Sequence, residues 1–123
     1  MRGYRYELVK IMNDQQIEEL IVEKGKASPR ITPQHIESII LAETYFTAAD
    51  GAIATGDDYH DSLTLLTFCV LTLQNGFTVT GESACASPEN FDAEIGRKIA
   101  RQNAVNKIWL LEGYVLKQKL SEL

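Results

Sequence analysis

The dipeptide Asn75-Gly76 constrains the fold of this chain more than any other feature of its sequence. It separates an apolar, threonine-rich run at residues 63–73 from a second run at residues 77–80. Asn-Gly between two such runs is the strongest short-range signal of a β-hairpin, because a type I′ turn needs positive φ at both central residues. The sequence therefore predicts an antiparallel hairpin that turns at Asn75-Gly76.

A two-residue turn at this point also predicts the register and the faces of the hairpin. The expected cross-strand pairs are Gln74 with Phe77, Thr72 with Val79, and Leu71 with Thr80. One face should then hold Cys69, Leu71 and Leu73, and the other face Val70, Phe77 and Val79. Since both faces carry apolar side chains, we expect cover on both sides, or cover of one side by a second subunit.

The pair Thr32-Pro33 predicts the start of a helix before the hairpin. The threonine hydroxyl can cap the helix, and a proline at the first helical position loses nothing by lacking an N–H group. Ile36, Ile39 and Ile40 form one apolar stripe, so we expect this helix to reach about residue 48. Residues 50–61, with two glycines and four aspartates, are typical of a polar loop.

The pair Ser87-Pro88 repeats this signal after the hairpin and predicts a long helix. We expect the helix to begin at about Pro88 or Asp92 and to run to Leu120, with a bend or interruption at Gly113. A strip of small residues along it allows another element to approach closely: Ala93, Ala100 and Ala104.

The N-terminal part of the chain is predicted to be an arm. Residues 5–9 alternate in polarity and predict a short strand, and residues 15–24 have helical spacing between Asn13 and Gly25. The 123 residues suit a single domain, with the arm at 1–30 and a core at 31–123. The expected class is α+β, with two N-terminal helices, the hairpin sheet and a long C-terminal helix packed on that sheet.

Charge and composition exclude several classes of protein. A net charge of −5 argues against a protein that grips a nucleic-acid polymer with its whole surface. No apolar run approaches the roughly 20 residues of a membrane-spanning helix, so we expect no membrane partner. The two cysteines, Cys69 and Cys85, make no disulfide framework, and a reducing cytoplasm fits them best.

The motifs of common enzyme classes are missing from the sequence. It has no G-x-S-x-G, H-E-x-x-H, P-loop, G-x-G-x-x-G or C-x-x-C pattern. His35 and His60 are the only histidines, and we expect both to be solvated. Cys85 lies near a helix start, where a thiol can become acidic, with a buried structural cysteine as the alternative. We therefore expect no enzyme, no cofactor and no metal.

Arg97 and Arg101 are the strongest candidates for ligand binding. They are four residues apart, so both project from one face of the helix, and Phe77 and Phe91 are expected nearby. Guanidinium forks with an aromatic ring suit a phosphate-bearing nucleotide. The alternative is pairing of these arginines with acidic side chains within the chain, namely Glu94 and Asp92.

The segments NGFTVTGESA, NFDAEIG and ARQNAVNKIWLLEGY form a block that resembles a small phage-protein family labelled gene product 49 and gene 66. The resemblance covers residues 32–120 and is most specific over residues 71–116. The block is also similar to the phage Thoeris anti-defence proteins that act as sponges. Those proteins are compact α+β oligomers that bind cyclic nucleotide signals of host TIR or related enzymes and sequester them without cleavage.

The resemblance implies a ligand site at a subunit interface, built from arginines, aromatic rings and an asparagine. By residue type the candidates are Phe77, Asn90, Phe91, Arg97 and Arg101. It also implies a homo-oligomer in the host cytoplasm, with a cyclic nucleotide or ADP-ribose-type signal as ligand. The alternative function is that of a small phage early protein that inhibits or redirects a host protein, using the acidic residues 50–61 against a basic surface.

Overall fold

The structure, a computed structural model, describes residues 12–26 and 28–123. The strand predicted at residues 5–9 lies outside the described residues. Two short 3₁₀ turns, Asp61–Leu65 and Pro88–Asn90, accompany the main elements. In chain order these elements are α1 (Asp14–Glu23), α2 (Pro33–Ser38), β1 (Ile40–Thr47), α3 (Ala48–Thr55), β2 (Leu66–Leu73), β3 (Thr78–Ala84) and α4 (Ala93–Ser121). The α+β class is thus confirmed.

The three strands form an antiparallel sheet in the order β1-β2-β3, with the long helix α4 packed on one face. The buried side of β2 carries alternate residues, and these meet α4 in a core that includes Cys69, Leu71, Ala104 and Ile108. The sequence predicted the long C-terminal helix on a hairpin sheet, and this arrangement is confirmed. It did not predict β1, the third strand.

The hairpin register is one residue away from the predicted one. Leu71 pairs with Val79, and the Leu73 N–H donates to the Phe77 carbonyl at 2.8 Å across a three-residue loop. Gly76 alone in this loop has positive φ, at 87°, whereas a type I′ turn would need Asn75 there as well. Because side chains alternate along a strand, this shift moves Val79 to the buried face that holds Leu71. The predicted pairs and the predicted face for Val79 were therefore wrong.

Gly81 explains how closely α4 approaches the sheet. A Cβ atom on Gly81 would lie 2.1 Å from the Ala100 carbonyl oxygen and 2.3 Å from the Ala104 nitrogen. Ala100 and Ala104 are both fully buried at this contact. Ala100 and Ala104 therefore allow the close approach that the sequence predicted for the small-residue strip. Ala93, the third residue of the strip, is exposed.

The second helix is much shorter than predicted. Thr32 caps α2 by accepting from the His35 N–H at 3.1 Å, so the predicted start is confirmed. The helix ends at Ser38, however, and Ile40–Thr47 forms β1. The segment is rich in β-branched and aromatic residues, and pairing with β2 outweighs the helical spacing of Ile36, Ile39 and Ile40.

The predicted polar loop at residues 50–61 was also wrong in its first half. Thr47 and Asp50 form a capping box, in which each side chain accepts from the other residue's backbone N–H, and this starts α3. The helix ends at Gly56, which has a left-handed conformation with φ 76°. Only residues 57–60, which follow α3, are irregular.

The ends of the remaining helices follow local capping rules. Asn13 caps α1 and Gly25 follows it with φ 67°, as predicted. Of the two starts predicted for the long helix, the structure has the later one, because the Asp92 side chain accepts from the N–H groups of Glu94 and Ile95. The helix continues without interruption through Gly113.

The sheet face opposite α4 is only partly covered by the described residues. Phe46 of β1 stacks on Phe68 of β2 there, with ring centroids 5.5 Å apart, and Phe46 is 38% exposed. Apolar side chains are also exposed on the second half of α4, where Leu110 and Tyr114 are 77% and 73% exposed. These surfaces are the reason why a homo-oligomer remains our expectation.

Candidate functional site

Arg97 and Phe91 lie in one small cleft at the end of the sheet. The cleft has a volume of about 110 Å³ and is formed by the first turns of α4, the end of β1 and the start of α3. Phe91 is half-buried, because it lies just before the Asp92 cap where the chain turns into α4. The remaining lining residues are Tyr45, Phe46, Thr47, Asp50, Thr67 and Ala93.

Arg97 has no acidic partner within 4 Å among the residues that the structure describes. The neighbouring Lys98 instead pairs with Glu94 at 3.3 Å, on the exposed side of α4. The pairing predicted for Glu94 therefore occurs with a lysine. Arg97 lines the cleft and is also exposed to solvent.

Asp50 gives the same cleft a carboxylate of fixed position. One oxygen accepts from the Thr47 N–H at 2.8 Å, and the Thr47 hydroxyl accepts in turn from the Asp50 N–H at 3.1 Å. The second oxygen is available to accept from a hydroxyl or an amino group of a ligand. The cleft thus offers both a cationic donor, Arg97, and an anionic acceptor.

Arg101, one turn further along α4, is engaged within the chain. Its guanidinium donates to both oxygens of Glu37, at 3.0 and 2.7 Å, and to both oxygens of Glu43, at 3.0 and 3.2 Å. Such bidentate pairs are the strong form of arginine–carboxylate contact. Arg101 therefore joins α4 to α2 and β1. Its partners are neither Glu94 nor Asp92, which the sequence had suggested.

The pKa values of Glu43 and of its neighbours Tyr45 and Cys69 are shifted from their ordinary values. The Arg101 guanidinium, and next the Tyr45 hydroxyl that donates to Glu43 at 2.6 Å, hold the pKa of Glu43 below its ordinary value. Burial, followed by that same hydrogen bond, raises the pKa of Tyr45. Burial raises the pKa of the adjacent Cys69 thiol as well. At neutral pH Glu43 is therefore charged, whereas the Tyr45 hydroxyl and the Cys69 thiol are neutral.

Phe77 and Asn90 do not join the Arg97 cleft within one chain. Phe77 lies at the hairpin tip, 56% exposed, in a groove with Lys107, Leu110 and Leu111. It flanks Leu73 at one end of β2, while the Arg97 cleft contacts Thr67 near the other, a separation of about 20 Å along the strand. Asn90 is exposed in the short 3₁₀ turn before α4. Whether these five residues bind a ligand stays a prediction.

Both histidines are exposed, in agreement with the sequence. His35 Nε2 lies 2.8 Å from Glu112 of α4, and His60 caps the 3₁₀ turn at Asp61–Leu65 through its contact with Ser62. Cys85 is half-buried and donates its S–H to the Ser87 carbonyl at 3.1 Å. Within residues 12–26 and 28–123, no three His, Cys, Asp or Glu side chains are grouped closely enough to hold a metal ion.

The sequence missed the part of the site that comes from β1 and α3. Thr47, Asp50 and Tyr45 were assigned to a helix and a loop, so their approach to Phe91 and Arg97 was not foreseen. One local signal existed, because threonine followed three residues later by an acidic residue is typical of a helix start. The Glu37 and Glu43 partners of Arg101 had no comparable signal.

Comparison with known protein families shows to which family the chain belongs. Residues 31–120 match the model of the phage protein family described as Phage protein (N4 Gp49/phage Sf6 gene 66). The chain belongs to this family. The match spans all three strands of the sheet, α4 as far as Leu120 and every residue that lines the Arg97 cleft. No curated protein and no solved structure matches the chain.

A membrane-spanning helix is not found among the described residues. None of the helices there is both long and apolar enough to cross a bilayer, since α4, the longest, carries charged residues throughout its length.

Proposed function

We propose that this phage protein binds a cyclic nucleotide or ADP-ribose-type immune signal of the host and sequesters it without cleavage. The observation that carries the proposal is Arg97, which has no acidic partner within 4 Å among the described residues and lines the same cleft as Phe91. On a chain with net charge −5, an arginine in such a cleft favours a specific anionic ligand rather than general attraction of polyanions. The function is then counter-defence by removal of the signal from solution.

The chemistry of the cleft matches the parts of a nucleotide. Arg97 offers the planar donor fork that suits a phosphate group, and Phe91 offers an aromatic ring on which a base can stack. The free oxygen of Asp50 suits a ribose hydroxyl or an exocyclic amino group. We assign the phosphate contact to Arg97 and not to Arg101, since both edges of the Arg101 fork are occupied by Glu37 and Glu43.

The volume of the cleft indicates how much of a ligand one chain can enclose. About 110 Å³ holds a phosphate or one ring, whereas sites that enclose small molecules measure roughly 300–1,000 Å³. Most of a cyclic nucleotide would therefore extend beyond the cleft of one chain. A second copy of the chain would supply the missing wall, in line with the expected homo-oligomer. Phe77 and Asn90 then remain candidates for contacts made across the interface.

Sequestration fits the lining better than turnover does. The cleft contains no histidine or cysteine, and the free oxygen of its one carboxylate, Asp50, is not hydrogen-bonded to a hydroxyl or thiol of the cleft. Activation of a protein nucleophile by a base needs such a contact. The described residues of the cleft thus supply recognition groups without an evident nucleophile–base pair.

The test is calorimetric titration of cyclic ADP-ribose isomers and of cyclic di- and trinucleotides into the wild-type protein and three variants. Arg97→Ala should lower the affinity by about tenfold to a hundredfold, the value of a charge-assisted hydrogen bond. Arg97→Lys should recover only part of it, because an ammonium group lacks the planar fork. Lys98→Ala is the matched control, since this neighbour pairs with Glu94 and lies outside the cleft.

A second function is favoured if no nucleotide binds. The sheet face opposite α4 presents the stacked pair Phe46 and Phe68, only partly covered, and an apolar face of this kind suits contact with another protein. The protein would then inhibit or redirect a host protein by direct binding. A pull-down that loses its host partner on Phe46→Glu but not on Arg97→Ala would support this function against the first.

A further inference from the structure

A second and larger cleft lies between α1 and α4, well apart from Arg97. Its volume is about 340 Å³, which falls at the lower end of the range for small-molecule sites. None of its lining residues is shared with the Arg97 cleft. Few contacts attach α1 to the rest of the chain, and its polar ties include the Gln15–Gln34 and Asp14–Gln102 hydrogen bonds.

The walls of this cleft are apolar and face one another across open space. Ile17 and Ile21 line it from α1, Trp109 from α4, Ile31 from the segment before α2 and Pro33 from the first position of α2. Apolar side chains that line an unfilled space open to water lose the contacts that a packed interior would give them. A ligand with an apolar body would restore those contacts.

The charges in the cleft favour a cation. Glu18, only 8% exposed, is neutralised by its ion pair with Arg30. Asp14 has no cationic partner within 4 Å among the described residues, and it accepts from two neutral donors, Trp109 Nε1 at 3.2 Å and Gln102 Nε2 at 3.4 Å. Among the described residues the carboxylate of Asp14 therefore has no ion-pair partner, and it lies at the edge of an indole ring in an apolar cleft.

We propose that this cleft binds a small apolar ammonium compound, with its charge at Asp14 and its apolar body between Trp109 and the isoleucines of α1. A carboxylate in an otherwise apolar cleft suits organic ammonium ions, since the ion pair holds the charge while the apolar walls pack against the body of the ligand. The apolar walls exclude ions that lack such a body. The site is independent of nucleotide binding at Arg97.

Trp109 is the single tryptophan of the chain, so its fluorescence and its indole N–H resonance report on this cleft alone. Phenethylamine is titrated into the full-length protein beside two probes of similar shape, phenethyl alcohol and 3-phenylpropionate. We expect saturable changes of both signals with the amine, and binding at least about tenfold weaker for the neutral and anionic probes.

Two variants decide whether Asp14 is responsible. Asp14→Asn keeps an oxygen that can accept from Trp109 but removes the charge, and should lower amine affinity about tenfold while leaving phenethyl alcohol unchanged. Glu19→Gln removes an equal charge from the exposed side of α1, outside the cleft, and should have little effect. Thermal melts of both variants check that the fold is retained.

Three results would each overturn the proposal. The first is binding of 3-phenylpropionate as tight as that of phenethylamine. The second is equal loss of affinity in Asp14→Asn and Glu19→Gln, which would indicate general attraction to an acidic protein. The third is the lack of any saturable change of the Trp109 signals with the amine in the folded wild-type protein.

Discussion

Replacement of Arg101 by alanine should destabilise the fold, because this residue ties three elements together. Its guanidinium, 27% exposed, makes bidentate contacts with Glu43 of β1 and Glu37 of α2. Glu37 is 56% exposed, so its pair contributes only about 0.5 kcal/mol. Glu43 is 36% exposed and its pair contributes about 1 kcal/mol, and the two carboxylates left without a cation add about 0.5 kcal/mol. The total is a loss of about 2 kcal/mol.

Urea unfolding monitored by circular dichroism measures this loss, and for a domain of this size it corresponds to a fall in Tm of about 8 °C. The pKa of Glu43 is lower in the folded state than its ordinary value of 4.5, so the contribution of this ion pair to stability is fully present above that value. It is lost as the pH falls through the folded value. The difference between wild type and Arg101→Ala should therefore shrink in acid.

Arg97→Ala is the matched control, since this arginine has the same helix and charge but no ion pair within the described residues. We expect its stability to change by less than about 0.5 kcal/mol. Equal stability of Arg101→Ala and wild type at neutral pH would refute the structural role of Arg101. Equal destabilisation by Arg97→Ala would refute the reasoning that separates the two arginines.

The remaining predictions concern packing, cysteine access and assembly. Gly81→Ala should cost about 3 kcal/mol in urea unfolding, because its Cβ would meet the α4 backbone, whereas Gly113→Ala, with nothing within 4 Å, should stabilise by about 0.5–1 kcal/mol; equal effects would contradict the close approach. Native protein should expose one thiol to Ellman's reagent, Cys85, since Cys69 is fully buried; two reactive thiols would mean that the core opens. Light scattering at tens of micromolar should show a homo-oligomer that Leu110→Glu weakens, and a strict monomer would contradict the expected assembly.

The parts of the fold that the sequence predicts well are those set by neighbouring residues. Asn13 and Gly25 bound α1 because a capping side chain and a positive-φ residue act within one turn of the helix. The hairpin position follows from Asn75-Gly76 for the same reason. The register does not, because two- and three-residue loops can be built from the same residues and differ only in the φ of Asn75.

β1 could not be predicted from the pattern of neighbouring residues. Ile36, Ile39 and Ile40 have helical spacing, yet Ile36 is buried as part of α2, whereas Ile40 is partly buried as part of a strand. The strand exists because β2, which lies 20 to 33 residues further along the chain, offers it hydrogen bonds; Tyr45, for example, pairs with Cys69. Pairing over such a distance leaves no periodic trace in a segment of eight residues.

In the candidate site, too, contacts between residues close in the sequence could be predicted, and contacts between distant residues could not. Phe91 and Arg97 are six residues apart across a helix start, so their proximity could be predicted from the sequence. The carboxylates that occupy Arg101 are 64 and 58 residues away, and only the packing of α2 and β1 against α4 brings them there. The sequence therefore identified both arginines as candidates, but it could not show which of the two guanidinium groups lacks a carboxylate partner.

Native mass spectrometry of the full-length protein, mixed with cyclic ADP-ribose isomers and cyclic di- and trinucleotides, tests the central claim most directly. One spectrum reports the ligand mass, the number of ligands and the number of subunits. The account predicts an oligomer that retains a nucleotide of unchanged mass, recovered intact after denaturation, and loss of that adduct in Arg97→Ala but not in Lys98→Ala. Recovery of a hydrolysed nucleotide, or the absence of an adduct with every nucleotide in the mixture, would contradict it.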